Sequence, residues 1–136
     1  MRIGISCYST FGGSGVVATE VGKALAARGH DVHLLSPSVP PRLVGFEDRI
    51  FFHEVTASTY PLFEAAPYSI ALASKMADVA AHHGLEIMHA HYAIPHAMAA
   101  LLARMALDGK LKVVTTLSLP PTARRARSAA EAWGMA

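Results

Sequence analysis

The chain has 136 residues, 52% of them hydrophobic and 16% charged, with a formal net charge of +2. That length and composition fit one domain with a real core and exclude a disordered chain. The small net charge argues against nucleic acid as a partner, no apolar run reaches the length of a membrane span, and a single cysteine, Cys7, excludes an internal disulfide.

The chain enters "MRIGIS" directly, with no signal-peptide pattern, so a cytoplasmic location is expected. Arg2 to Tyr8 reads as a short buried strand, and Cys7 within it as a small buried hydrophobe. "TFGGSGVV" follows, with three glycines around Ser14. From Gly15 to Arg28, Val17, Val21 and Leu25 recur every four positions, as one helix face requires, and Gly29 stands at the usual stop. "DVHLLS" is a second strand, "PSVPPRLVGFED" an irregular loop, and "RIFFHEV" a third strand. After the loop "TASTYPLFEAAPY", Ser69 to His83 is predicted helical, with Ile70, Ala73, Ala77 and Ala80 on one face. "LEIMHAHY" is a fourth strand. Ile94 to Leu107 is predicted to be a helix with Met98, Leu101, Leu102 and Met105 inside, and "LKVVTTL" a fifth strand.

Strands that alternate with helices and are apolar throughout imply an α/β fold. We expect a Rossmann-like parallel sheet with helices on both faces and ligands at the carboxyl ends of the strands. The stretch after Leu117, "SLPPTARRARSAAEAWGMA", breaks this rhythm, and its arginines read as a solvated, loosely packed basic tail.

The glycine loop admits several chemistries. Gly13, Gly15 and Ala18 have the dinucleotide-binding spacing, but the second strand ends Leu34-Leu35-Ser36 with no acid to hold a ribose. There is no P-loop lysine. What remains is an anion site at a helix N-terminus, or a tight turn alone. Tyr92 and Thr116, at the ends of the fourth and fifth strands, carry hydroxyls able to donate to a carboxylate. His89 and His91 share a strand face and His96 follows, but no acid or cysteine joins them in a common zinc pattern, so neither metal nor cofactor is expected.

"IGISCYSTFGGSGVVATEVGKALAARGHDVHLLS", "FFHEV", "LASKMADVA", "HAHYAIPHAMAA" and "KVVTTL" together closely resemble the N-terminal half of the glycosyltransferases of the bacillithiol pathway. The resemblance covers residues 1–117. It implies a single GT-B half: a Rossmann-like acceptor domain over 1–117, followed by an atypical tail over 118–136. It implies a retaining, metal-independent transfer of N-acetylglucosamine from UDP-N-acetylglucosamine to L-malate. By resemblance, Gly13, Ser14 and Gly15 lie where malate meets the donor diphosphate. Tyr92 and Thr116 match malate-binding positions, and Arg42 is a further cation near that face. No membrane partner is implied. The family's next residues are "HGTD", whereas Ser118 stands in the histidine position here, so no catalytic residue is assigned. The donor domain is also absent from the sequence. The chain alone is therefore expected to be inactive, as a truncated or frameshifted product. Its partner is then a separate donor-domain chain or a second copy of itself. The alternative is a stand-alone anion- or nucleotide-binding module without catalysis.

Overall fold

The computed structural model describes residues 1–9, 13–45, 47–57 and 67–117. Five strands, β1 (Arg2–Ser6), β2 (Asp31–Ser36), β3 (Ile50–Glu54), β4 (Ile87–His91) and β5 (Lys112–Thr116), form one sheet in the order β3-β2-β1-β4-β5. Every pairing is parallel. Helix α1 (Ser14–Ala27) covers one face, and α2 (Tyr68–His83) and α3 (Met98–Ala106) cover the other. The Rossmann-like half inferred from the sequence is the fold observed. The proposed basic tail lies outside the described residues.

Alternation along β1 divides the core. Ile3, Ile5 and Cys7 join Val32, Leu34 and Ala18 beneath α1. On the other face Leu35, Met88 and Ala90 meet Leu72, Met76 and Val79 of α2 and Ala99, Ala100 and Ala103 of α3. Burial pushes the Cys7 thiol up to about 11, which leaves it an inert core group. Among the described residues no helix is long and apolar enough to cross a membrane.

The helix faces depart from the sequence expectation. In α1 Val21 and Leu25 pack against the core as expected, but the buried residues are Ser14, Gly15, Ala18, Thr19 and Gly22, and Val17 is exposed. In α2, Ala73 and Ala80 are inside as expected, but Leu72, Met76 and Val79 supply the bulk and Ile70 is exposed. In α3 the assignment is inverted: Met98, Leu101, Leu102 and Met105 are 42–75% exposed, and the alanines face inward. The reason is distance. Small residues let a helix axis approach the sheet and the neighbouring helix closely, and dispersion contacts reward that approach.

The same constraint acts at two glycines with opposite consequences. A Cβ on Gly4 would lie 2.7 Å from Met88 Cε and 2.9 Å from Leu85 Cδ1, inside the packed core. A Cβ on Gly22 would meet Val32, Ile5 and Leu34 at ordinary distances of 3.5–3.9 Å. Gly4→Ala is expected to destabilise the fold by about 1–3 kcal/mol through overpacking. Gly22→Ala is expected to stabilise it by about 0.4–1 kcal/mol, since a helical glycine loses an excess of backbone entropy on folding. Urea unfolding midpoints check both signs.

Candidate functional site at the carboxyl ends of the strands

The chain leaves β1 through Tyr8 and returns at Gly13, whose φ of 64° and ψ of −131° only glycine adopts readily. Helix α1 starts at once with Ser14, which is buried, and has no side-chain cap. The first intrahelical bond there runs from the Val17 N–H to the Gly13 carbonyl, so the earlier N–H groups of the first turn are left over. The Ser14 hydroxyl is also buried without a partner among the described residues. The positive end of the helix dipole and free donors therefore coincide here.

Tyr92 follows β4 with a φ of 87° and a ψ of 146°, a region that costs a tyrosine on the order of 1–3 kcal/mol. Its N–H donates to the Thr116 carbonyl at 3.0 Å, tying it to the end of β5. Its ring stands 6.2 Å from Tyr8, which also contacts Tyr68 at 6.5 Å and His96 edge-on at 4.6 Å. Tyr8 thus gathers the ends of β1 and β4 and the start of α2. Thr116 is close by, but its hydroxyl already pairs with His89 Nε2 at 2.8 Å. Arg42 forms an exposed ion pair with Glu20 on α1 at 3.2 Å. Parallel pairing thus puts Gly13–Gly15, after β1, and Tyr92, after β4, at the same carboxyl edge of the sheet, with Tyr92 tied to the end of β5, while Arg42 is engaged on the flank of α1.

The histidines at this edge carry more than their spacing indicated. His91 is 1% exposed and His96 0%. Ser6 Oγ lies 2.5 Å from His96 Nδ1. With that hydroxyl donating, the neutral ring keeps its proton on Nε2, which has no partner among the described residues. Both ring nitrogens of His91 and the hydroxyl of Tyr68 are equally alone among the described residues. Burial, with His89 beside His91 and His91 beside His96, lowers both rings to about 4. Burial likewise pushes the Tyr68 hydroxyl up to about 12. The edge thus offers neutral hydrogen-bonding groups to a polar ligand. Sequence reading tested these histidines only for zinc spacing. The available signal was their place at the end of an otherwise apolar strand.

Comparison of the sequence with known proteins shows the family. The sequence profile of Glycosyltransferase Family 4 matches residues 11–133. N-acetyl-alpha-D-glucosaminyl L-malate synthase of Bacillus anthracis is 52% identical over 117 residues, which are 86% of this chain and 31% of that protein. The chain thus spans about a third of that relative's length. A glycosyltransferase from Rickettsia africae superposes with a TM-score of 0.62 at 18% identity, over 89% of this chain and 31% of that one. The C-terminal domain of a Pyrococcus furiosus hydrogenase gives 0.55 at 14% identity, over 87% and 91%. At such identities these two structures establish the fold alone.

Two outcomes follow from the buried rings. His33 in β2 is also lowered to about 4 by burial, aided by His53 and His83. Unfolded, such rings protonate near 6.5, and folded only near 4. Between these values the unfolded chain holds more protons, so stability is full above pH 6.5 and declines as pH falls towards 4. Unfolding at pH 5 is expected to take up roughly two to three protons, measured as the pH slope of the unfolding free energy. A flat slope would contradict the burial of neutral rings. His91→Leu removes two unpartnered nitrogens at similar volume and is expected to raise stability by about 1–2 kcal/mol, read from the urea midpoint.

Proposed function

The chain belongs to Glycosyltransferase Family 4, and from that premise we propose that it is the acceptor-binding half of a retaining glycosyltransferase. Residues 1–117 form the acceptor domain, and 118–136 lie beyond it. The reaction moves N-acetylglucosamine from UDP-N-acetylglucosamine to the hydroxyl of L-malate. The identity of the Bacillus anthracis relative supports this choice of substrates. The observation that supports the site is the set of buried polar atoms on Ser14, Tyr68, His91 and His96 that have no partner among the described residues.

In this reading one malate carboxylate sits at the start of α1, where the left-over N–H groups of the first turn donate to it. Gly13 lets the backbone approach because no side chain intervenes: among the described residues nothing lies within 4 Å of the Cβ it lacks. The Tyr92 hydroxyl addresses the second carboxylate, and the strained backbone at Tyr92 is retained because it aims that ring. Thr116 holds Tyr92 through its carbonyl, and its hydroxyl joins the ligand by exchanging its bond with His89. Arg42 contributes after release from Glu20. Neutral His91 and His96 contribute hydrogen bonds without adding charge, so they orient the acceptor hydroxyl and exclude water from it. The acceptor oxygen then bonds to the sugar carbon as the bond to the UDP oxygen breaks, and the acceptor's hydroxyl proton passes to the departing phosphate oxygen. That step needs the donor nucleotide held across a cleft by a second domain. This chain alone is proposed to bind acceptor without turnover.

Malate is expected to bind the isolated chain at about millimolar Kd, roughly 4 kcal/mol, from a few partly exposed hydrogen bonds. NMR titration should move resonances around Ser14, Tyr92 and Thr116. Tyr92→Phe should weaken binding about 2- to 10-fold, and Gly13→Val should abolish it. UDP release with malate should stay at the no-enzyme level. Shifts remote from these residues, or an unchanged Tyr92→Phe titration, would overturn the site. UDP release above background would overturn the inactivity of the isolated chain.

A further inference from the structure

Away from the glycine loop, three histidines from three separate elements converge on the sheet face that carries α2. His33 lies in β2, His53 in β3, and His83 is the last residue of α2. His33 and His53 point to the same face because Leu35, two residues beyond His33, is the register partner of His53. One ring nitrogen from each of the three lies within 4.8 Å of the others. His33 Nδ1 and His53 Nε2 hydrogen-bond at 2.9 Å, a contact that a bound ion replaces. The ring centroids are separated by 5.1 Å for His33–His53, 4.5 Å for His33–His83 and 5.3 Å for His53–His83.

From this convergence we propose that His33, His53 and His83 bind a divalent first-row transition ion, with zinc as the best fit. Imidazole suits such ions, and three histidines with an open fourth position form a known zinc arrangement. Tetrahedral coordination at Zn–N distances of about 2.0–2.1 Å places the nitrogens about 3.3 Å from each other. The present separations bracket that value, so side-chain rotations on the order of 1 Å complete the geometry. His33 is 3% exposed and acts as the fixed ligand. His53 stands on the sheet's edge strand and His83 directly before the left-handed Gly84, and both are half-buried, so they have room to adjust.

The surroundings are compatible with a cation. A hollow of about 330 Å³ beside the cluster is lined by Arg2, Asp31, His33, Phe51, His82 and His83. It leaves space for a water or for His82 as fourth ligand. Each flank carries both signs of charge, Lys75 with Asp78 beside His53 and Arg2 with Asp31 beside His33. At pH 7.5 imidazole is mostly neutral, which is the ligating form. Arg2 and Asp31 open the amino ends of β1 and β2, so the hollow lies at the opposite edge of the sheet from the glycine loop. The ion would clamp the edge strand β3 to β2 and to the end of α2. Because no residue is shared with the acceptor site, this proposal stands or falls independently of the acceptor assignment.

Calorimetric titration of the tag-free chain with Zn²⁺ at pH 7.5 is expected to give one ion per chain at a Kd of about 10 μM or tighter. Co²⁺ should produce the visible absorption of a tetrahedral nitrogen site, and saturating Zn²⁺ should raise the unfolding midpoint. His53→Gln and His83→Gln, both at half-buried positions, should each weaken binding at least 10-fold. Circular dichroism should show both variants folded. His30→Gln, at the amino-terminal surface, should leave the titration unchanged. Absence of stoichiometric binding, or binding that survives the His53→Gln/His83→Gln double substitution, would overturn the site.

Discussion

Burial of β1 on both faces constrains everything else in this molecule. As the central strand it must accept α1 on one side and α2 with α3 on the other. Ile3, Ile5 and Cys7 fill the α1 side. On the other side Gly4 leaves the space that Met88 and Leu85 occupy, and Ser6 ends the strand. The helices can come that close only by turning small residues inward, as Ala18 and Gly22 do in α1 and Ala99, Ala100 and Ala103 do in α3. Because the sheet is parallel, the same arrangement brings every strand's carboxyl end to one edge. To that edge come Gly13 and the start of α1, and Tyr92 bonded to the end of β5.

The two ends of the sheet differ in how their polar groups are satisfied. At the carboxyl edge, buried atoms of Ser14, Tyr68, His91 and His96 have no partner among the described residues, and Tyr92 holds a backbone conformation unfavourable for its type. Each of these features opposes folding, and each is offset if a polar ligand completes the hydrogen bonds. Thr116 and Arg42 differ, since His89 and Glu20 already satisfy them. Their engagement with a ligand requires exchange of an existing bond, so they contribute less net free energy than the unpartnered groups. On the α2 face, by contrast, His33 Nδ1 and His53 Nε2 hydrogen-bond to each other at 2.9 Å, and a His83 nitrogen lies within 4.8 Å of both residues' ring nitrogens.

Family and fold carry different information here. The Rossmann-like sheet is shared with a glycosyltransferase and with a hydrogenase domain at comparable TM-scores. Fold alone therefore fixes neither the ligand nor the reaction. The family is fixed by sequence, through the profile over residues 11–133 and the 52% identity over 117 residues.

The sequence by itself determined the order and type of the elements. Apolar strands such as "DVHLLS", glycine punctuation at Gly13 and Gly29, and alternating helices are local signals, and they imply a parallel sheet without knowledge of neighbours. The glycine loop was legible for the same reason. Helix orientation was not. In α3 both sides are apolar, so periodicity cannot tell the alanine face from the Met98–Leu101–Leu102–Met105 face. Packing distance decides it, and distance is a property of the assembled layers. The unpartnered atoms of His91 and His96 were likewise invisible, because satisfaction depends on what the rest of the chain places nearby. The convergence of His33, His53 and His83 was decided by tertiary structure alone. It depends on the β2–β3 register and on α2 ending beside those strands, and no sequence spacing encodes either.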